Sequence, residues 1–529
     1  MGSARERGEG TKLLDKGEPA SRIQPALKAA PVSGCTIAIE RIYTAHRRLM
    51  LIVGGLFSLS VLASAQSMKF FPPPPPCATK LQSSMLCVVP QVYGASGLIL
   101  PNPHHAAHFQ PSQTGFQIPL SVSVGTELSL VSVASPASGV LFTYDPTLHT
   151  FVPSTTESYG PILTERAETI GKHRIFVAAT YQFYNFSSLD GIDLHHLPVV
   201  YSHASFKIPG TCTSPDPQCD PARPGYPLFE QEYITTQDRI DLKANQVTLT
   251  GTFGLTQHID ISVDVPILDV GLGITSTANI VRVAPQPVPS TDPLYGTTVN
   301  GFYHFFNKND PSGSLNEVVS DSKHATGIGD VVFEVKGTVL NYERARVALG
   351  LDIRAPTGDE ENFLGSGAIG VKPFIAASYP GRISPHVNLG FQYNGDSILA
   401  GNPCVPNVPN NGQCVGTSLG KLPNQFLYAG GVDIAVTRRL TLAADLLGNR
   451  LSSVDRLRTS SFVDATGTPH PGVPQTVLFS GSVNMVDISG GAKVNIWRNL
   501  LLTANVAFKA NNAGLRATVI PLGELSYTF

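Results

Sequence analysis

Ionisable side chains alternate with apolar ones along much of the C-terminal part of this sequence. Between Val486 and Ile496, for example, Asp487 and Lys493 stand between aliphatic or small residues. A period of two places successive side chains on opposite faces of a β-strand, so one face is charged and the other is apolar. Charges of both signs on one face could line a polar path for a solute, or could form a salt-bridged, solvated interior.

A nucleophile and a base also occur close together. Ser384, His386 and Asn388 stand at alternate positions of one predicted strand, and a serine near a histidine is the minimum for nucleophilic catalysis. Pro385 interrupts the start of that strand, and no Gly-x-Ser-x-Gly turn contains the serine. The sequence therefore favours a protein that is not an enzyme, with a lipid hydrolase as the least favoured alternative.

Two clusters contain residue types that bind metals. The acidic run 359–361 offers the oxygen ligands that Ca²⁺ prefers, but an exposed acidic turn is the simpler interpretation. His104, His105 and His108 lie among Pro and Asn residues with no partnering carboxylate, which favours solvated loop histidines. We therefore predict no metal site and no cofactor.

Twelve stretches after residue 172 have the length and alternation of β-strands. They cover residues 173–185, 241–254, 257–270, 329–342, 345–356, 369–380, 382–395, 425–437, 438–450, 483–497, 499–510 and 517–529. Their connections alternate between short turns, such as Arg498-Asn499, and long segments, such as 187–240, 271–328 and 451–482. Short turns on one rim and long loops on the other are typical of outer-membrane barrels. We predict an all-β fold, a transmembrane antiparallel up-and-down β-barrel of about 12 strands (12–14), over residues 173–529.

The predicted register puts the charges inside the barrel and the aliphatic residues against lipid. A Lys or Arg on the lipid face would cost about 2–4 kcal/mol near the midplane, and a slip of one residue would expose every charge. A bore of this strand number lies between a packed eight-stranded interior and an open porin, which predicts a narrow or plugged passage. The predicted lumen-lining residues are Asp260, Asp264, Glu334, Lys336, Asp352, Arg354, Lys372, Asp433, Asp445, Asp487, Lys493, Lys509 and Glu524.

Composition separates a membrane barrel from a soluble β-sandwich or propeller. Charged residues are 14% of the chain, below the roughly 25% of a typical soluble domain. Aromatic residues near predicted strand ends, such as Tyr379 and Trp497, are typical of interfacial girdles. The formal net charge of −2 provides no basic surface for nucleic acid.

The N-terminal part indicates export. Residues 46–65 contain a basic flank, a short apolar run and an Ala-Ser-Ala cleavage site, the parts of a signal peptide; an uncleaved anchor helix is the alternative. Residues 1–45 are predicted to be a dispensable or mis-annotated extension. We expect localisation in the outer membrane of a Gram-negative-type bacterium.

Six cysteines follow the predicted cleavage site and fall into three local pairs. The pairs are Cys77 with Cys87, Cys212 with Cys219, and Cys404 with Cys414. Disulfide-closed loops suit an oxidising compartment, and unpaired thiols are the alternative. Residues 66–172 are Pro-rich and irregular, and two interpretations stay open: a periplasmic or plug segment, or extra strands.

Several motifs resemble a family of bacterial outer-membrane proteins. They are Gly-Ile-Gly-Asp-Val at 327–331, Leu-Asp-Ile-Arg-Ala-Pro-Thr-Gly-Asp at 351–359, and the Ser-Tyr-Thr-Phe terminus at 526–529. The family is labelled as transporters or as meta-pathway phenol degradation proteins, and it is similar in kind to channels for fatty acids and aromatic compounds. The resemblance covers roughly residues 160–529 and implies a channel.

The predicted function is passage of small, hydrophobic or aromatic molecules through a narrow lumen. The expected partners are outer-membrane lipid, the small-molecule solute, and the barrel-assembly machinery, which would engage the C-terminal strand ending in Phe529. No nucleic-acid partner is expected. A structural or surface-binding barrel with disulfide-tied extracellular loops is the alternative.

Overall fold

The computed structural model describes residues 84–93, 98–106, 109–110, 114–129, 142–145, 150–153, 158–203, 212, 216–342, 344–401, 406–407, 413–414, 418–464 and 466–529. The predicted extension 1–45 and the predicted signal peptide 46–65 lie outside these residues. No helix in the described part of the chain is long and apolar enough to cross a membrane.

Within the described residues, twelve strands close into one antiparallel barrel, which confirms the predicted fold. The strands are β1 Ile175–Leu189, β2 Tyr233–Gly254, β3 Ile259–Val281, β4 in two parts (Asn316–Ile328 and Val331–Tyr342), β5 Ala345–Ala355, β6 Gly370–Ser378, β7 Ile383–Asn394, β8 Gln425–Thr437, β9 Leu440–Val463, β10 Pro469–Trp497, β11 Leu500–Lys509 and β12 Val519–Thr528. The barrel closes where β12 pairs with β1, in the register Thr528 to Phe176.

Shorter elements surround the barrel strands. Helix α1 spans Thr114–Ser129. Short strands are Phe109–Gln110, Phe142–Asp145, Thr150–Pro153, Ile192–Asp193, Leu197–His203, Asp396–Ser397, Pro406–Asn407, Gln413–Cys414, Gly420–Lys421 and Leu515–Ala517. Turns of 3₁₀-helix are Met85–Cys87, Leu228–Gln231, Tyr295–Thr297, Glu360–Asn362 and Ile398–Ala400.

We call the end of the barrel with the short turns the lower end and the end with the long connections the upper end. The outer surface of the lower barrel is apolar. In β7 the outward residues run from Ile383, 60% exposed, to Tyr393, 51% exposed, without a charge between them. Ten residues at about 3.4 Å per residue and a tilt of about 40° span roughly 25 Å, the height of the lipid-facing band of an outer-membrane barrel. Trp497 and Phe529 are exposed at the short-turn rim.

Three of the predicted long loops contain strand, so those boundaries were wrong. Segments 187–240 and 271–328 include the upper parts of β2, β3 and β4, and segment 451–482 includes the upper β9–β10 hairpin. The strand signal used for prediction was an apolar outward face. Above the lipid band that face becomes polar, so the same backbone no longer shows the signal.

The upper barrel encloses an apolar core. Helix α1 buries Phe116, Leu120 and Val124, and these residues belong to one cluster with Leu242 of β2 and Leu272 of β3. We call residues 84–93, 98–106, 109–110 and α1 the mouth segment. Its apolar side chains pack inside the upper barrel.

Candidate functional site

The lower end of the barrel is crossed by residues 158–172, which we call the strap. The Lys336 ammonium lies 2.5 Å from Oε2 of Glu165. The backbone N–H of Glu165 donates to Oδ1 of Asn388 at 2.6 Å. Farther along, the N–H of Ile170 donates to Oδ2 of Asp260 at 2.8 Å. The strap is therefore held by polar side chains that project from the barrel wall.

The opposite side of the wall binds the start of the strap. The Ser158 hydroxyl donates to the Asp433 carboxylate, and the Lys493 ammonium donates to the carbonyl of Pro161. Both wall residues are fully buried. Polar groups buried at this level cost free energy unless they are hydrogen-bonded, so the strap and the polar wall stabilise one another.

His386 lies between two carboxylates of this wall. Its Nδ1 is 3.2 Å from Asp433 Oδ1 and its Nε2 is 2.7 Å from Asp445 Oδ1. The Ser384 hydroxyl instead lies 3.0 Å from the Gly381 carbonyl. Since both ring nitrogens face aspartates, His386 is not placed to take a proton from Ser384. This geometry favours a structural histidine over a hydrolase.

A cavity of about 230 Å³ lies between the strap and the mouth segment. Glu127 of α1 lines it from above and Glu165 of the strap lines it from below. Its apolar lining includes Leu163, Tyr184, Phe374, Leu427, Ala429, Leu447, Met485 and Ile520, and its charged wall lining consists of Glu334, Asp352, Lys372, Asp487 and Arg516. The cavity is therefore amphipathic, and it is bounded above and below by two segments that are not part of the barrel wall.

Ion pairs order the charged lining. The Lys372 ammonium lies 2.5 Å from Oδ2 of Asp352 and 5.7 Å from the ring centroid of Phe374. Arg516 pairs with Asp487 beneath Glu127. Because the Lys372 side chain contacts both a carboxylate and an aromatic face, it joins the charged and apolar sides of the cavity.

The structure separates the predicted lumen-lining residues into three groups. Glu334, Asp352, Lys372 and Asp487 line the cavity. Asp260, Lys336, Asp433, Asp445 and Lys493 contact the strap. The remaining four bond to wall residues: Asp264 to Thr250, Arg354 to Asn394, Lys509 to Ser188 and Glu524 to Thr180. Of the thirteen, Lys372, Asp487 and Lys509 are partly exposed and the others are buried.

The sequence analysis did not identify Glu127, Glu165, Tyr184, Phe374 and Arg516 as site residues. The two glutamates lie in the N-terminal segment, which has no period that fixes its position. Tyr184 and Phe374 lie on predicted strands, at the alternate positions that face inward. The alternation alone would therefore have indicated that they face the bore. The predicted lumen-lining set contains charged residues only.

The turn motifs at 327–331 and 351–359 have a structural explanation in Asp330. Its carboxylate accepts the backbone N–H of Gly358 at 3.1 Å and that of Ser366 at 2.7 Å. A Cβ on Gly358 would lie 2.4 Å from the Leu364 carbonyl oxygen. The interruption of β4 at residues 329–330 therefore places Asp330 beside the loop after β5, which its carboxylate holds in place. The two motifs contain the residues of this contact.

The acidic run begins with a cap. Oδ1 of Asp359 accepts the N–H of Glu361 at 3.1 Å, and Oδ2 accepts the side-chain amide of Asn362 at 2.7 Å. Burial, together with Asp359 and Glu360, raises the pKa of Glu361 to about 7. The Asp359 carboxylate is therefore used to start a 3₁₀ turn.

The cysteine and histidine predictions have mixed outcomes. A disulfide joins Cys212 and Cys219, as predicted, with a Cα–Cα distance of 5.4 Å. Cys87 is disulfide-bonded, whereas Cys77 and Cys404 lie outside the described residues, so the other two pairings stay predictions. His104 is exposed and His108 lies outside the described residues. The interpretation of His105 as a solvated loop residue is wrong, because it is 3% exposed.

Comparisons with known proteins agree with the motifs. The sequence model of the family described as "Putative MetA-pathway of phenol degradation" matches residues 254–402, which confirms the resemblance over that stretch. No curated protein matches the sequence.

Among solved structures, the chain is similar to an outer membrane channel from Pseudomonas putida F1, with 9% identity, a TM-score of 0.35, and coverage of 69% of this chain and 98% of that one. It is also similar to a Pseudomonas aeruginosa FadL homologue (10%, TM-score 0.27, 68% and 90%) and to the toluene transporter TbuX of Ralstonia pickettii (10%, TM-score 0.24, 68% and 90%).

Proposed function

We propose that this protein is an outer-membrane channel that passes small, hydrophobic or aromatic molecules through its narrow bore. The observation that carries the proposal is the amphipathic cavity inside a closed barrel whose outer face is apolar. A ring such as Phe374 offers a stacking surface, and the Lys372–Asp352 pair offers a polar contact beside it. An aromatic solute with one polar group needs both.

The size of the cavity fits one such molecule. An engineered protein cavity of about 150 Å³ binds benzene, and this cavity measures about 230 Å³. A single substituted ring therefore fits with room to turn. A large or strongly ionic solute does not fit without displacement of the strap or the mouth segment.

The proposal assigns roles to the predicted parts of the chain. The thirteen predicted ionisable residues would form the polar lining and the strap-binding wall. The segment 66–172 would act as a plug in two parts, the mouth segment above and the strap below. Residues 46–65 would direct export, and the strand ending in Phe529 would engage the barrel-assembly machinery.

Passage then requires movement of the strap. It is held by hydrogen bonds and by the Lys336–Glu165 ion pair, which water can replace. The mouth segment is held by an apolar cluster, which water cannot replace at the same free energy. We therefore propose that the strap is the part that opens.

Proteoliposomes carrying the purified protein test the function. We expect entry of a toluene- or phenol-sized solute to be faster than in protein-free liposomes. Ala429 lines the cavity, so Ala429→Trp should fill it and reduce entry to near the protein-free rate. The matched control is Ala444→Trp on the neighbouring strand, where the side chain is exposed on the outer face.

The same experiment can reject the proposal. If the native protein adds no permeability to any solute of this class, the channel function is wrong. Equal entry through native protein and Ala429→Trp would show that the cavity is not on the path. Both variants must show the heat-modifiable gel migration of a folded barrel.

A further inference from the structure

Three buried histidines from distant parts of the sequence meet in the upper barrel. His105 belongs to the mouth segment, His203 ends the short strand Leu197–His203, and His304 lies in the connection between β3 and β4. They are 3%, 2% and 0% exposed. One ligand nitrogen from each ring lies within 4.8 Å of the other two.

The spacing of the rings is close to that of a shared metal ion. The ring centroids of His105 and His304 are 5.1 Å apart, those of His203 and His304 are 5.3 Å apart, and those of His105 and His203 are 6.4 Å apart. Imidazoles bound to one tetrahedral zinc ion at about 2.0–2.1 Å have centroids roughly 5 Å apart. Two of the three spacings already match, and the third needs a shift of about 1 Å.

A carboxylate lies beside each of two of the rings. Nδ1 of His203 lies 2.6 Å from Oε2 of Glu230, and Nδ1 of His304 lies 2.5 Å from Oε2 of Glu232. Both glutamates are 1% exposed. The His304–Glu232 contact is a hydrogen bond, and a carboxylate bonded to one ring nitrogen fixes the tautomer and orientation of a metal-binding imidazole, an arrangement that recurs around zinc.

The second glutamate is itself held in place. Oε1 of Glu232 accepts the backbone N–H of Ala284 at 3.2 Å and the side-chain amide of Gln286 at 3.0 Å. Its other oxygen is therefore aimed at His304. Such a support is expected where a ring must keep one orientation.

His105 is positioned by the loop that carries it. The Asn102 side-chain amide donates to the carbonyl of Tyr303 at 2.7 Å and to that of Thr297 at 3.1 Å. The ring then packs edge-on against Phe229, at a centroid distance of 4.7 Å, and against Tyr303 at 5.5 Å. The cluster is thus enclosed by aromatic rings and kept from bulk water.

We propose that His105, His203 and His304 bind one Zn²⁺-class transition-metal ion, with Glu230 and Glu232 as positioning residues for two of the imidazoles. Imidazole nitrogen selects Zn²⁺, Cu²⁺ or Ni²⁺ over Ca²⁺ and Mg²⁺, which prefer oxygen. The ion joins the mouth segment to two elements of the upper barrel. It would therefore lock the mouth segment in place, and this role does not depend on the identity of the transported solute.

The test is metal binding by the full protein in detergent. The protein is stripped with a chelator, titrated with ZnCl₂ by calorimetry, and its metal content is measured after desalting. We expect one zinc ion per chain, a loss of roughly 100-fold or more in affinity for His105→Asn and His304→Asn, and a loss of roughly 10–100-fold for Glu232→Gln. Cobalt in place of zinc should show the visible absorption of a tetrahedral site.

His104→Asn is the matched control, since His104 is adjacent in sequence but exposed. It should bind zinc as the native protein does. Asparagine keeps a polar group at the buried positions, and heat-modifiable migration verifies that each variant is folded. Absence of tight zinc binding would show a metal-free histidine–carboxylate network and overturn the proposal. Binding that survives His105→Asn and His304→Asn would place the ion on surface histidines and would overturn it equally.

Discussion

The lower and upper halves of β2 and β3 have opposite polarity on the same backbone. In the lower half of β2, Leu249 is 45% exposed on the outer face and Thr248 is buried inside. In the upper half, Lys243 is exposed on the outer face and Leu242 is buried inside. β3 changes at the same level, from outward Ile267 to a partly exposed Asp269 that accepts a hydrogen bond from Asn245 at 3.0 Å.

The difference shows that two solvents act on one strand. Lipid surrounds the lower half, so its outer face must be apolar, and its inner face meets a polar strap. Water surrounds the upper half, so its outer face is polar, and its inner face packs on the apolar mouth segment. Along the whole strand the same alternate positions face outward. Only the medium on each side of the barrel wall changes.

The strap should be the most sensitive part of this contrast. Lys336→Met removes the cation that pairs with Glu165 in a largely buried setting, and breaking such a pair costs about 3–5 kcal/mol. We expect release of the strap and a higher basal conductance in planar bilayers. Lys336→Met combined with Glu165→Gln should recover much of the native conductance level. A single variant that conducts as the native protein does would show that this ion pair does not hold the strap.

The mouth segment should respond to loss of apolar contact. Leu242→Ala removes a fully buried side chain that packs in the upper core, at a cost of about 2–5 kcal/mol. We expect faster proteolysis of the mouth segment, followed by mass spectrometry. Thr248→Ala is the control, because it is equally buried on the same face but lies in the lower half. Equal proteolysis of the two variants would contradict a separate upper core.

A charged side chain on the outer face should destabilise the barrel only in the lower half. Leu249→Arg puts a guanidinium against lipid, at a cost of about 2–4 kcal/mol in unfolding from liposomes. Gln237→Arg lies on the same face in the upper half, where a surface change costs within about 0.5 kcal/mol. Guanidinium unfolding curves of both variants measure the difference. Similar midpoints would mean that the lipid band does not end where the polarity changes.

Sequence alone predicted the lower half well and the upper half poorly. In the lower half, an apolar outer face such as Val247, Leu249 and Phe253 repeats with a period of two, and lipid enforces it on every strand. In the upper half the apolar face turns inward, so its strands matched no lipid-facing pattern. The apolar inner face of these upper strands can be interpreted only once the mouth segment is known to pack against it.

The site was predictable only in part for the same reason. Asp352 and Lys372 lie on strands, so their parity indicated an inward direction. Glu165 lies in the strap, which has no repeating pattern, and its contact with Lys336 joins residues 171 positions apart. The cluster of His105, His203 and His304 combines three elements that are far apart in the sequence and outside the twelve long strands, so no local spacing could reveal it.

The smallest effect concerns pH at the top of the cavity. Burial raises the pKa of Glu127 to about 7, with Arg516 acting in the opposite direction and Asp487 in the same one. The folded state thus binds more protons than the unfolded state between pH 4.5 and about 7. Docking of α1 is stabilised at low pH and loses that contribution as pH rises through this window.

Glu127→Gln should remove this dependence. Hydrogen exchange of α1 amides between pH 5 and pH 8, corrected for the intrinsic exchange rate, measures it. The native helix should lose protection as pH rises, and the variant should not. Parallel profiles for both proteins would show that Glu127 does not sense pH in this position.

We place the edge of the lipid band where the outer face of β2 changes polarity, between Asn245 and Val247. Spin labels placed singly at positions 239–253 in liposomes test it through their accessibility to oxygen and to a water-soluble nickel complex. We expect odd positions from 247 to 253 to be exposed to oxygen in lipid and odd positions from 239 to 243 to be exposed to the nickel complex. Even positions should be protected from both. Nickel accessibility at position 249, or lipid-like oxygen accessibility at position 241, would contradict it.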